Sequence, residues 1–476
     1  MPTTNGNRRI LDLKRWEFCA PSPAASAAGS FVVSSRHFRQ QQLFIRTQTE
    51  AYIYNPAEDG WITLPSAGLA VGLGAGACGT AAAWSNGAAT SGASLTATGG
   101  STSTIVTNQT LARDLRGYRV HIIGGPNAGA ILDIVSNTIG TNATITVATQ
   151  ASAFTASTVY RLLTPTWYVC NNGSVAAASF RKYDYATNSW VTLANMPASF
   201  GTDAKLIATP SIVDNNFKQF LTGTASSGTA TTLVHTGKNW ASNQWRDAFH
   251  VRITAGTGAG QVRAITANTA DTLTVATWTT NPDATSQYSI EGNDNFLYLI
   301  GNNAVTLYRY DIAANTWSTI TPGVARAASP GAGMSGHWVH SVPATDWNVE
   351  NAIINGRRIY SFRGAGGAVL DFYDIAANTW TNAVTYGPAT ETFSTGTKYA
   401  LHDGTLYMQK EATGRWFAYD FARSELFPWG TMLYPQGGAI VGDTAFDVLY
   451  EDGATDIYYV YMLLNTSNIL LRQMVI

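Results

Sequence analysis

Val369-Leu370-Asp371-Phe372-Tyr373-Asp374-Ile375-Ala376-Ala377-Asn378-Thr379-Trp380 is the stretch on which the fold turns. Its first five residues read as a strand, Asp374 to Asn378 supply turn chemistry, and Trp380 opens the next strand. The string Asp-Ile-Ala-Ala-Asn-Thr-Trp also stands at 311–317, preceded there by Tyr310. Tyr183-Asp184, Asn188 and Trp190 keep the same seven-residue step from Tyr to Trp. A looser copy has Tyr54-Asn55, Asp59 and Trp61, and another has Tyr419-Asp420 with Leu426 in the Trp position. Upstream of each copy a further strand carries its own aromatic, in turn Phe44, Tyr168, Tyr298, Tyr360 and Tyr407. Each unit is therefore a small antiparallel meander, and such a unit buries its apolar face only against neighbours. Trp61, Trp190, Trp317 and Trp380 are expected in that core.

The unit resembles a blade of the Kelch-type β-propellers: a strand, Tyr-Asp, a short polar turn, and a Trp beginning the outer strand. Gly301-Asn302 and Asn171-Asn172 stand where Kelch blades carry a Gly-Gly doublet. The resemblance implies an all-β, six-bladed, Kelch-like β-propeller. Its blades fall at roughly 30–64, 75–195, 205–320, 331–383, 395–430 and 435–476. The last lacks the Trp and reads as four strands: Gly438–Val441, Phe446–Tyr450, Ile457–Leu463 and Ile469–Val475. Residues 1–29 precede the ring as an extended arm, with Arg8, Arg9, Lys14 and Arg15 clustered in it.

Residues 96–163 and 222–291 share a different pattern. Val120 to Gly129 and Val251 to Gly260 have the same spacing, and Tyr118–Gly129 (YRVHIIGGPNAG) aligns with Phe249–Gly260 (FHVRITAGTGAG). Asn137 and Asn268 each follow their Gly by eight residues, and Tyr160 and Tyr288 each follow a valine, Val147 and Val275, by thirteen. Each segment reads as five or six short strands, a small barrel or sandwich inserted between the first two strands of a blade. The propeller segments are then 30–95, 164–221 and 292–476. Loops at equivalent places in successive blades leave on one face, so the two modules should project side by side. Their pattern is similar to a module found in virion and tail proteins of tailed phages. That resemblance implies a structural tail or neck protein, such as a nozzle or tail-tip subunit at the head-tail connection. It also implies a cyclic homo-oligomer assembled in the host cytoplasm, with adaptor and fibre proteins, and passing DNA, as partners. The alternative is an appendage that binds a host receptor or glycan.

Composition agrees with a scaffold. Charged residues are 12% of the 476, against about 25% in ordinary soluble domains, while apolar residues are 45%. A net charge of −1 argues against a general electrostatic grip on nucleic acid. Cys19, Cys78 and Cys170 form no metal-ligand spacing and suggest no disulfide framework. No run of 18 apolar residues suggests a membrane anchor.

The sequence nominates no catalytic, cofactor-binding or metal-binding residues, and leaves the binding residues open. His337 and His340, three apart in a strand, point to opposite faces. Gly256-Thr257-Gly258-Ala259-Gly260 lacks the Gly-Lys-Ser/Thr of a phosphate loop and reads as a hairpin turn. Glu58-Asp59 and Glu451-Asp452 read as turns. Trp240 and Trp245 are read as module packing, with an exposed sugar-stacking role as the alternative. The Ser-x-Asp-x-Gly-x-Thr-Trp boxes of sialidase-like propellers do not occur, nor is a Tyr–Cys radical site of the copper oxidases designated.

Overall fold

A computed structural model describes residues 16–26, 30–35, 41–46, 49–69, 77–92, 94–170, 179–201, 203–208, 221–302, 304–338, 357–367, 369–384, 391–394, 397–402, 404–410, 415–421, 423–431, 445–452, 457–464 and 468–475. Within them the regular structure is strand alone. Six four-stranded antiparallel sheets form the blades of a β-propeller. Blade 1 runs outward through Phe31–Ser34, Gln42–Ile45, Ala51–Asn55 and Gly60–Thr63. Blades 2 and 3 begin with Cys78–Ala82 and Lys205–Ala208 and resume at Thr166–Cys170 and Phe296–Ile300. Blades 4 and 5 begin with His337–Trp338 and Lys398–His402.

Blade 6 differs from the sequence reading. Its chain-terminal part supplies three strands, Ala445–Asp452, Ile457–Leu463 and Leu470–Val475, and the expected strand Gly438–Val441 lies outside the described residues. The fourth, outermost strand is Glu17–Phe18, paired with Arg472 and Leu471. Part of the expected arm is thus sheet, and the beginning of the chain closes the ring onto its end. Cys19 N donates to Leu470 O at 3.0 Å, and Trp16 packs 5.2 Å from Trp416. The basic residues Arg8, Arg9, Lys14 and Arg15 lie outside the described residues.

The repeat acts as a clamp between blades. The Asp caps the turn: Asp184, Asp311 and Asp374 each accept the backbone N–H three residues on, at 2.9–3.0 Å. Asn188, Asn315 and Asn378 occupy the left-handed region at φ 50°, 53° and 54°, which Asn tolerates better than most residues. In each, Oδ1 accepts the hydroxyl of the repeat's Tyr, at 2.6–2.7 Å. In blade 1, Asp59 takes that place, accepting Tyr54 Oη at 2.7 Å. The indole then reaches the previous blade's exit segment: Trp190 Nε1 donates to Pro65 O, Trp317 Nε1 to Ala194 O, and Trp61 Nε1 to Ala20 O. Trp190 and Trp380 are buried as expected, whereas Trp61 and Trp317 are only partly so, because their rings cover the outer end of the blade interface. The second-strand aromatics Phe44, Tyr168, Tyr298, Tyr360 and Tyr407 are all buried.

Trp317 packs 5.1 Å from both Phe180 of blade 2 and Tyr310 of its own blade. Trp317→Ala should lower the unfolding free energy by about 3 kcal/mol, the low end for an aromatic truncation because the ring is partly exposed. Denaturant titration checks this, and a change below about 0.5 kcal/mol would mean the indole does not join the blades.

Candidate functional site

Between the first two strands of blades 2 and 3 lie two seven-stranded sheets, over Leu95–Leu163 and Leu221–Gly292, with the same strand order. The expected five or six strands are seven, because the opening segment divides in two. Leu95–Thr96 and Gly99–Gly100 form opposite edges of one sheet, and the residues between them bond both ways. Ala97 N donates to Thr158 O and Thr98 N to Val106 O; Ala225 N and Ser226 N do the same to Ser286 O and Val234 O. One short stretch therefore joins both edges, closing each sheet into a small barrel. Equivalent bulges, at Ile122/Gly124 and Ile253/Ala255, bend both.

The barrels interlock through their glycine turns. A Cβ on Gly129 would lie 2.6 Å from Thr254 O, and one on Gly260 would lie 2.8 Å from Ile123 O. Position 129 of one barrel faces the other as position 260 faces back, so the contact is self-complementary, like that of a two-fold dimer. Beside it lies a buried set of charges. Glu291 Oε1 accepts Arg252 Nη2 at 2.7 Å, and Oε2 accepts His250 Nε2 at 3.0 Å. Burial alone would raise the Glu291 carboxyl; these partners outweigh it and hold it at about 2. Arg161 of the first barrel reaches Asp294 at 3.8 Å and covers the Trp84 ring at 4.6 Å. His121 sits among Arg252, Arg161, Glu291 and His250, and its Nε2 has no hydrogen-bond partner.

Each barrel also rests on a repeat turn. Arg113 Nη2 donates to Tyr183 Oη and to Asn188 Oδ1, both at 2.9 Å, and its guanidinium covers the Tyr185 ring. Arg246 of the second barrel donates through Nη2 to Ala376 O in the blade 4 turn. Here the fit leaves a cleft of about 420 Å³ between barrel and propeller. Arg246, Asp247, Tyr298, Arg309, Ser318, Thr319, Ile320, Tyr373, Ile375 and Asn378 line it. Arg246 Nε lies 3.7 Å from Asp247 Oδ2 and makes no hydrogen bond. Burial raises the Asp247 carboxyl against the opposing pull of Arg246 and Arg309. This concave, polar and partly aromatic space is the candidate site.

The residues weighed in the sequence lie elsewhere. His337 is in the first strand of blade 4 with its ring 5.9 Å from Tyr399, and burial lowers its pKa to about 3. His340 is outside the described residues. Trp240 and Trp245 are buried and meet edge to face, at 6.3 Å, inside the second barrel. Gly256–Gly260 is a hairpin turn, and Asp59 is the left-handed residue of its own turn, while Glu451 and Asp452 end a strand instead of forming a turn. Among the described residues no three His, Cys, Asp or Glu side chains gather as a metal site. The fold brings together two sets that sequence spacing did not reveal. Cys78 and Cys170 stand directly opposite on paired strands, both buried. Ser85, Lys182 and Asp184 are also buried together. Ser85 Oγ donates to Asp184, Lys182 Nζ donates to Asn86 and to Ala89 O, and burial lowers the amine to about 8. These bonds tie the segment entering the first barrel to blade 2.

With six blades around one axis, the chain is a β-propeller. No family model matches it, and no curated protein matches it. Among solved structures it is similar to a chain of the "Crystal Structure of Mitotic Checkpoint Complex", at 10% identity and a TM-score of 0.36 over 97% of this chain and 91% of that one. A likeness of that degree carries no argument about function.

His121 gives the barrel interface a pH dependence. Burial, then Arg252 and Arg161, lower its pKa from 6.5 to about 3. Below 6.5 the unfolded chain takes up a proton that the folded chain refuses until about 3, so stability is full above that window and falls within it. Acidification from pH 6.5 to about 5 should cost about 2 kcal/mol through this group. His121→Met should flatten the thermal midpoint against pH; an unchanged slope would assign the acid sensitivity to other groups.

Proposed function

We propose that this chain is a structural component of a tailed-phage virion, a ring-forming tail or neck subunit such as a nozzle or tail-tip protein. The observation that carries the reading is the pair of interlocked barrels. Two copies of one module stand on adjacent blades, interlock through Gly129 and Gly260, and share a buried ion network. Such a platform suits a fixed contact surface better than a moving part. The likeness of Phe249–Gly260 to phage virion modules supports it, as do the Kelch-like blades and the low charge. The alternative, a receptor- or glycan-binding appendage, is favoured by the cleft beneath the second barrel.

Light scattering with negative-stain electron microscopy on the purified chain tests the proposal. Closed rings of about five, six or twelve copies are expected. A monomer or trimer would move the assignment to the appendage.

A further inference from the structure

Blade 2 holds an internal comparison for the cleft at blade 4. In blade 2 the repeat's Asn188 Oδ1 accepts two donors, Tyr183 Oη at 2.6 Å and Arg113 Nη2 at 2.9 Å. In blade 4 the same pair, Tyr373 and Asn378, is 2.7 Å apart and lines the cleft of about 420 Å³. Arg246 holds the turn without filling that place: its Nη2 is bonded to Ala376 O and its Nε donates no hydrogen bond. Arg309 lines the same space with its guanidinium over Phe296, and Tyr298 adds an aromatic wall.

We propose that this cleft binds an acidic saccharide. Its carboxylate would accept from Arg246 and Arg309, and a ring hydroxyl would donate to Asn378 Oδ1 where Arg113 donates in blade 2. Two guanidinium groups against one carboxyl leave excess positive charge, which selects an anion. The planar guanidinium matches a carboxylate in shape and donors. Asn378 Oδ1 already accepts Tyr373 Oη and can accept a second donor, which a ring hydroxyl supplies beside the carboxylate. The volume lies in the range of small-ligand pockets and is large enough for a sugar ring. The inference rests on the cleft's chemistry and is independent of the virion assignment.

The test is calorimetric titration of the purified full chain with D-glucuronate, with D-glucose and inorganic phosphate as comparison probes. Saturable glucuronate binding is expected, at least about tenfold tighter than glucose or phosphate and weakened by added salt. Thr319→Trp, which puts a large ring into the cleft from an exposed strand position, should abolish binding while leaving the thermal midpoint unchanged. Arg246→Gln should weaken it at least about tenfold. Absent glucuronate binding, equal binding of glucose or phosphate, or wild-type affinity in Thr319→Trp would overturn the proposal. The ring-assembly result does not depend on these outcomes, so the two readings fail separately.

Discussion

The hydrogen bond from a repeat tyrosine to a side chain held in the left-handed conformation organises the propeller. At Asn188, Asn315 and Asn378 it fixes a turn that few other residues tolerate. The fixed turn places a Trp at the start of the outer strand, and that indole bonds the preceding blade from blades 1, 2 and 3. A blade's internal turn and its contact with the preceding blade are thus one device. Asn315 shows this directly, because its Oδ1 accepts both Tyr310 Oη and the backbone N–H of Ala194 in blade 2.

Ring closure poses a separate problem, since blade 6 must join blade 1, its neighbour in the ring but far from it in sequence. Glu17–Phe18 solves it by pairing with Leu470–Val475, so strands from both ends of the sequence share one sheet. Separating that sheet requires losing backbone pairing and the Trp16–Trp416 contact together. The sequence reading missed this strand because two residues carry no periodicity. Their pairing partner lies more than 450 residues away.

The barrels follow another logic. Propeller blades meet mainly through aromatic rings, whereas the barrels meet through close backbone approach and buried ions. Removing one partner from such an ion set is strongly destabilising, because it leaves a charge without water or counter-ion. Charges also distinguish the two otherwise parallel barrels: Glu291 occupies the strand position that Leu163 holds in the first. Duplication therefore gave matching frames, and divergence at the contact made the frames fit each other.

Sequence alone determined the blade count and the identity of the clamp residues, because these are local patterns repeated at constant spacing. Tyr, Asp, Asn and Trp act within eight residues of one another, so their geometry is written in their order. Only the tertiary structure decided that the amino-terminal strand closes blade 6, that Cys78 faces Cys170, and that Ser85, Lys182 and Asp184 meet. It also decided the cleft, whose walls come from Arg246, Arg309 and Tyr373, on three separate elements. Contacts between distant segments depend on how the blades and barrels are turned against one another. No periodicity along the chain records that rotation, since it is set by packing.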